Sequence, residues 1–175
     1  GVNNGFVTAE ESVESAWAQV ENQYQRRADL IPNLVNTVQG AADFEQETLQ
    51  SVIEARSRAT SITLQADDLN DPAKIQQFQA AQEQLSGALS RLLVSVERYP
   101  ELKANANFRD LQAQLEGTEN RISTERKRFN DTARQYNTDI RKFPGSLIAS
   151  ITGFDRKAYF EANEGAEQPP LVDFE

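Results

Sequence analysis

The sequence predicts an all-α protein, an antiparallel up-down-up-down four-helix bundle with long first and last helices. Three observations carry that prediction. Apolar residues recur at alternating spacings of four and three along extended stretches, the repeat of helices packed at a shallow angle. Turn-forming residues fall between those stretches. The 175-residue chain holds only 8 Gly and 6 Pro, so little interrupts it. A single bundle domain is expected over residues 1–162, followed by an extended tail over 163–175.

The first helix is expected to start at Thr8, where Thr8 and Glu11 have the spacing of a capping box. Its seam runs Val13, Trp17, Val20, Tyr24, Arg27, Ile31, Leu34, Val38, and Gly40 ends it. Two residues are out of place on that seam. Arg27 puts a charge on the apolar face, and Pro32 lies inside the helix, where proline removes a hydrogen bond and clashes with the carbonyl of Ala28 at a cost of about 3 kcal/mol or more. A kink is expected at Pro32, with Asn33 serving the freed backbone groups.

A second helix is expected from near Asp43, with Gln46 completing a box, to about Ser61. Its stripe of Leu49, Val52, Ile53, Ala55 and Ala59 is mostly short side chains, which allows close approach to neighbours. Thr63 to Asn70 reads as a loop; its acids lack the alternating oxygen ligands and central glycine of an EF-hand. The third helix starts sharply, with Asp71 as N-cap and Pro72 at the first helical position. Its seam is Ile75, Phe78, Gln82, Leu85, Leu89, Leu92, Val96, Tyr99, interrupted only by Gln82, and Pro100 is expected to terminate it. The fourth helix is expected from about Asn107 to Lys142, on a seam of Phe108, Leu111, Leu115, Glu119, Ile122, Arg126, Phe129, Ala133, Tyr136, Ile140 and Phe143. Pro144 and Gly145 then break it before a short amphipathic piece from Ser146 to Phe154.

In that topology the first and last helices are antiparallel neighbours, and placing Val13 beside Ile140 brings Arg27 to the Ile122–Arg126 region. A charge in a core must be paired, since an unpaired one costs several kcal/mol. The expected partner is Glu119, with Glu125 as second choice, and Asn33 and Asn120 are expected to complete a buried polar layer with them.

Composition narrows the chemistry. With no His and no Cys in the chain, Ser-His-Asp, Cys-His and helix-borne His-metal sites all lack their base or ligand, so no catalytic residue, cofactor or metal is expected. A net charge of −9 disfavours nucleic acid and anionic lipid as nonspecific partners. The charge is segregated: Glu10 to Glu21 carries only acids, whereas Arg121 to Lys142 is mostly basic. No run approaches the roughly 18 apolar residues of a membrane span, and no signal peptide is expected within these residues.

The run WAQVENQYQRRADLIPNLVNTVQG, Trp17 to Gly40, resembles the signature of the LemA family, and NANFRDLQAQLEGTENRISTERKRFNDTARQYN, Asn105 to Asn137, resembles its second block. Shorter matches at FPGSLIA, FDRKAYFEA and PPLVDF follow in the expected order. The AlaAlaAsp after Gly40 departs from an aromatic that relatives often carry there, a difference of packing only. The resemblance implies a bacterial protein with one N-terminal membrane helix, absent from this sequence, followed by a four-helix bundle without known enzymatic activity. It also implies a place in the cell membrane, on a side the sequence does not specify, and a role as a tethered accessory or interaction protein. Some relatives are tied to specialised membranes such as magnetosomes.

Three functions are compatible with these residues. The first is a membrane-tethered, non-enzymatic interaction module that docks an unknown protein partner, the domain itself being monomeric. A ligand-binding or acid–base site in the bundle core around Arg27 and Glu119 is the second. The third is a structural helical oligomer, which the commitment of each strong seam to the intramolecular core disfavours.

Overall fold

The computed structural model of the chain describes residues 2–141 and 157–160. Among them the protein is all helical: α1 (Val2–Gln39), α2 (Gln46–Ser61), α3 (Pro72–Val96), a short α4 (Pro100–Lys103) and α5 (Ala106–Arg141), with a 3-10 turn at Ala66–Asn70 before α3. Phe143, the break at Pro144 and Gly145, the piece at 146–154 and the tail at 163–175 lie outside the described residues.

Local chemistry accounts for most of the boundaries. The Asp71 side chain accepts from Ala73 N at 3.0 Å, and Pro72 occupies the first turn of α3, where its missing donor costs nothing. Before it, Gln65 and Asp68 form a reciprocal box that turns the expected loop into a 3-10 turn and buries Leu69. The chain between α1 and α2 passes through Asp43 at φ 62°, a left-handed conformation that a short polar residue tolerates. Tyr99 holds that turn by donating its hydroxyl to the Asp43 carbonyl.

Three boundaries differ from expectation. Thr8 lies inside α1, because the helix continues back to Val2, and a capping box has nothing to cap where backbone donors already have helical partners. α2 begins at Gln46 with Glu45 at its N-cap, and Ile53 of its expected stripe is exposed. α3 ends at Val96, and Pro100 opens α4 instead of stopping a longer helix, since proline is as well suited to a first turn as to a terminus.

α1 lies along α5 for most of its length, and α2 lies along α3. The apolar core falls into two clusters. One gathers Val13 to Tyr24 of α1, Ile75 and Phe78 of α3 and Ile122 to Ile140 of α5. The other gathers Ile31 to Val38 of α1, α2 from Leu49 to Ala59, α3 from Leu85 onward and α5 back to Phe108. Between them lies a band of polar side chains. α1 and α3 therefore run from the first cluster to the second, and α5 runs the opposite way. The antiparallel register is set by Glu10 at Tyr136, Trp17 at Phe129 and Arg27 at Glu119. This lies about two helical turns from the register that puts Val13 beside Ile140, and it is the one that matches the buried charges.

Candidate functional site

Arg27 is 1% exposed, and its partner Glu119 is 4% exposed. The guanidinium uses four contacts to brace three helices. Nη1 donates to Glu119 Oε1 and to Ser86 Oγ, each at 2.6 Å, and Nη2 donates to Gln82 Oε1 at 2.8 Å and to the Gln82 carbonyl at 3.0 Å. Gln82 in turn reaches the Ala59 carbonyl of α2 at 3.5 Å. The Tyr24 ring lies 5.2 Å from the guanidinium carbon. Burial pushes the Tyr24 hydroxyl upward, partly offset by the Arg126 and Arg27 charges. Arg27 Nε is buried without a hydrogen-bond partner.

Of the residues the sequence nominates, Arg27 and Glu119 meet, whereas Asn33 and Asn120 are exposed and stand outside the layer. Helix geometry explains both exclusions: Asn33 is about 240° around α1 from Arg27, and Asn120 is about 100° around α5 from Glu119. The residues that complete the layer are Gln82 and Ser86 on α3. Gln82 has a visible signal, as the one polar interruption in the α3 seam; Ser86 has none beyond lying one turn further. With the carboxylate committed to the guanidinium, and Nη1 and Nη2 also donating to α3, this layer is a cross-brace.

Pro32 sits on the outer side of α1, which runs unbroken through it. The Ala28 carbonyl that Pro32 leaves without its helical donor is taken up from another helix: Arg56 Nε of α2 donates to it at 2.8 Å. Asn33 plays no such part; its carbonyl accepts from Thr37 Oγ1.

A second constellation lies at the end of the molecule where α1 begins and α5 finishes. Residues 157–160 cross α5 there without regular secondary structure. Asn137 holds the Lys157 peptide group on both sides, accepting from its N–H at 2.6 Å and donating to its carbonyl at 2.9 Å. Ala158 N donates to the Leu69 carbonyl, and Phe160 N donates to Asn130 Oδ1, both at 2.9 Å. The Phe160 ring enters an aromatic pocket, 5.7 Å from Trp17 and 5.6 Å from Phe129, with Arg126 over its face at 4.8 Å. The Lys157 ammonium lies over Tyr136 at 5.3 Å and 3.4 Å from Glu10 Oε1. Nothing in helix periodicity marks this segment.

On the surface, α1 and α5 flank an open polar groove lined by Glu11, Ser12, Ser15, Gln19, Glu125, Arg128 and Asp131. Its acids are partly answered by Arg128 at 3.3 Å from Glu125 and by Arg134 at 3.1 Å from Asp131. Among the described residues no group of three or more His, Cys, Asp or Glu is placed to hold a metal ion. Nor is any helix among them long and apolar enough to cross a membrane.

Known proteins place the chain in a family. It is similar to magnetosome protein MamQ of Magnetospirillum gryphiswaldense, 29% identical over 97% of this chain and 68% of the relative. It resembles magnetosome protein MamQ 2 of Paramagnetospirillum magneticum to the same extent, at 28% identity. Protein LemA of Metamycoplasma hominis is 23% identical over 94% of this chain and 71% of its own length. The family model described as LemA family matches residues 16–174, almost the whole sequence, and the chain belongs to that family.

Proposed function

We propose that this chain is the helical interaction domain of a membrane-associated accessory protein of the bacterial envelope, acting by docking other proteins and not by catalysis. The full-length protein would be held in the cell membrane by a single N-terminal helix, and the domain would be a monomer arranged as an up-down-up-down four-helix bundle. The opposed chain directions of α1 and α5, and the way core clusters alternate along the helices, support that arrangement. The observation that carries the functional reading is the LemA family membership, with two relatives named as magnetosome proteins. The commitment of the buried Arg27–Glu119 pair to bracing supports it further.

The test is chemical crosslinking in membranes of cells expressing the anchored full-length protein, followed by capture and quantitative identification. A partner whose recovery saturates and is competed away by excess free domain is the expected result. Recovery that stays linear and indifferent to the free domain refutes the interaction role. Sedimentation of the domain at micromolar concentration separately tests the monomer.

A further inference from the structure

Residues 157–160 are held as a peptide ligand is held, and we propose that the groove they fill is a peptide-recognition site that also accepts an extended partner segment carrying a cation three residues ahead of an aromatic ring. This names the surface and the partner chemistry for the interaction role above, and it rests on that reading.

The recognition is directed at backbone. Asn137 pairs with both the N–H and the carbonyl of Lys157, as a neighbouring strand would, and Asn130 takes the N–H of Phe160. The two asparagines are two turns apart on α5, about 10.5 Å of helix rise. A three-residue advance, one turn of a polyproline-II chain, spans about 9 Å and returns the N–H to the same side. One face of a helix thus carries a ruler matched to an extended peptide, which any sequence can meet through its main chain. Specificity comes from four side-chain positions. The first is the acidic and aromatic seat of Lys157, made by Glu10 and Tyr136; the second is the Trp17–Phe129 pocket for the ring of Phe160. Between them Ala158 is buried and donates its N–H to the Leu69 carbonyl, which calls for a small side chain, while the Tyr159 hydroxyl accepts from Asn137 Nδ2 at 2.7 Å and its ring lies 5.6 Å from the Arg134 guanidinium, which favours tyrosine there.

A segment of the same chain competes with a free one at an effective concentration on the order of mM, which a tighter-binding partner segment overcomes. A foreign segment is a better occupant than a second copy. The chain's net charge of −9 opposes self-association, while Glu10 favours an incoming cation.

Trp17 is the sole tryptophan and stacks on Phe160, so its emission reports the occupancy of the groove in the whole chain. Phe160→Ala should shift that emission to the red, and a synthetic peptide of residues 154–162 (FDRKAYFEA) should restore it saturably below about 1 mM. The peptide lacking its second phenylalanine, or the chain also carrying Asn137→Ala, should require about tenfold more peptide or fail to saturate. If Phe160→Ala does not fold by circular dichroism, Asn130→Ala, which removes one hydrogen bond, takes its place. A folded variant with unchanged emission, or a change that millimolar peptide does not reverse, overturns the proposal. So does emission that depends on protein concentration without added peptide, which assigns the groove to a second copy. Failure here alongside a saturable partner in membranes removes the groove and leaves the interaction role standing.

Discussion

Arg56 is the residue whose loss should reveal how a proline survives inside α1. Pro32 leaves the Ala28 carbonyl without its amide donor, and Arg56 Nε supplies one from α2 at 2.8 Å on a half-buried side chain. A hydrogen bond from a charged donor contributes about 1.5–3 kcal/mol, so Arg56→Met, which keeps the stem but removes the donor, should destabilise by that amount. Pro32→Ala restores an amide donor at position 32 and removes a residue about 3 kcal/mol less favourable than alanine in a helix. It should therefore stabilise the wild type. In the Pro32→Ala background the Ala28 carbonyl has its helical partner again, and the cost of Arg56→Met should shrink to below about 1 kcal/mol. Urea unfolding of the four proteins, followed by circular dichroism with the slopes compared, measures the coupling. Additivity within about 0.5 kcal/mol refutes the reasoning, because Arg56 would then be indifferent to whether the carbonyl is otherwise satisfied.

Two further predictions concern charge. Arg27→Met alone should cost about 3–5 kcal/mol by stranding Glu119, and Glu119→Leu alone a similar amount, whereas the double variant should recover most of the loss, since a buried pair exchanged for apolar side chains is often neutral; denaturant midpoints of the three variants decide it. The pH dependence should contain two opposed contributions. Burial raises the Glu21 carboxyl, with Trp17 lowering it in part, so the folded state holds that proton more tightly and stability falls as pH rises through the window above the ordinary glutamate value. Glu21→Gln should stabilise at neutral pH and lose its advantage in acid. Asp68 is lowered by its hydrogen bonds to Lys74 and to Gln65 N, so its contribution is present above the ordinary aspartate value and lost as pH falls through the lowered one. Asp68→Asn should weaken the protein at neutral pH, with no difference at the lowest pH. Urea midpoints across pH 2–8 read both, on the order of the pH range where carboxylates titrate.

The helices were legible because their apolar repeats are long, and α3 because Asp71 and Pro72 mark a start that needs no tertiary context. The need for an acid opposite Arg27 was legible too, since a charge on an apolar seam has few outlets. What escaped depended on the angular placement of one helix against another. Asn33 and Asn120 look polar and near in number, yet the helical turn carries them outward. The Arg56 contact requires the register of α2 on α1, which short alanine-rich faces do not announce. The docking of residues 157–160 rests on side-chain amides reading a backbone, and backbone carries no sequence.

The band of polar side chains across the core also acts as an error check on counting. A seam built on sevens is degenerate: sliding α1 along α5 by one repeat lays valine, tyrosine and isoleucine on other apolar residues with little penalty. The charges do not share that tolerance. One repeat of slip towards the C-terminus of α5 sets Arg27 opposite Arg126 and leaves Glu119 opposite Leu34, two uncompensated charges in place of one satisfied pair. The misaligned chain is thus rejected by two residues, while the many apolar ones would accept it.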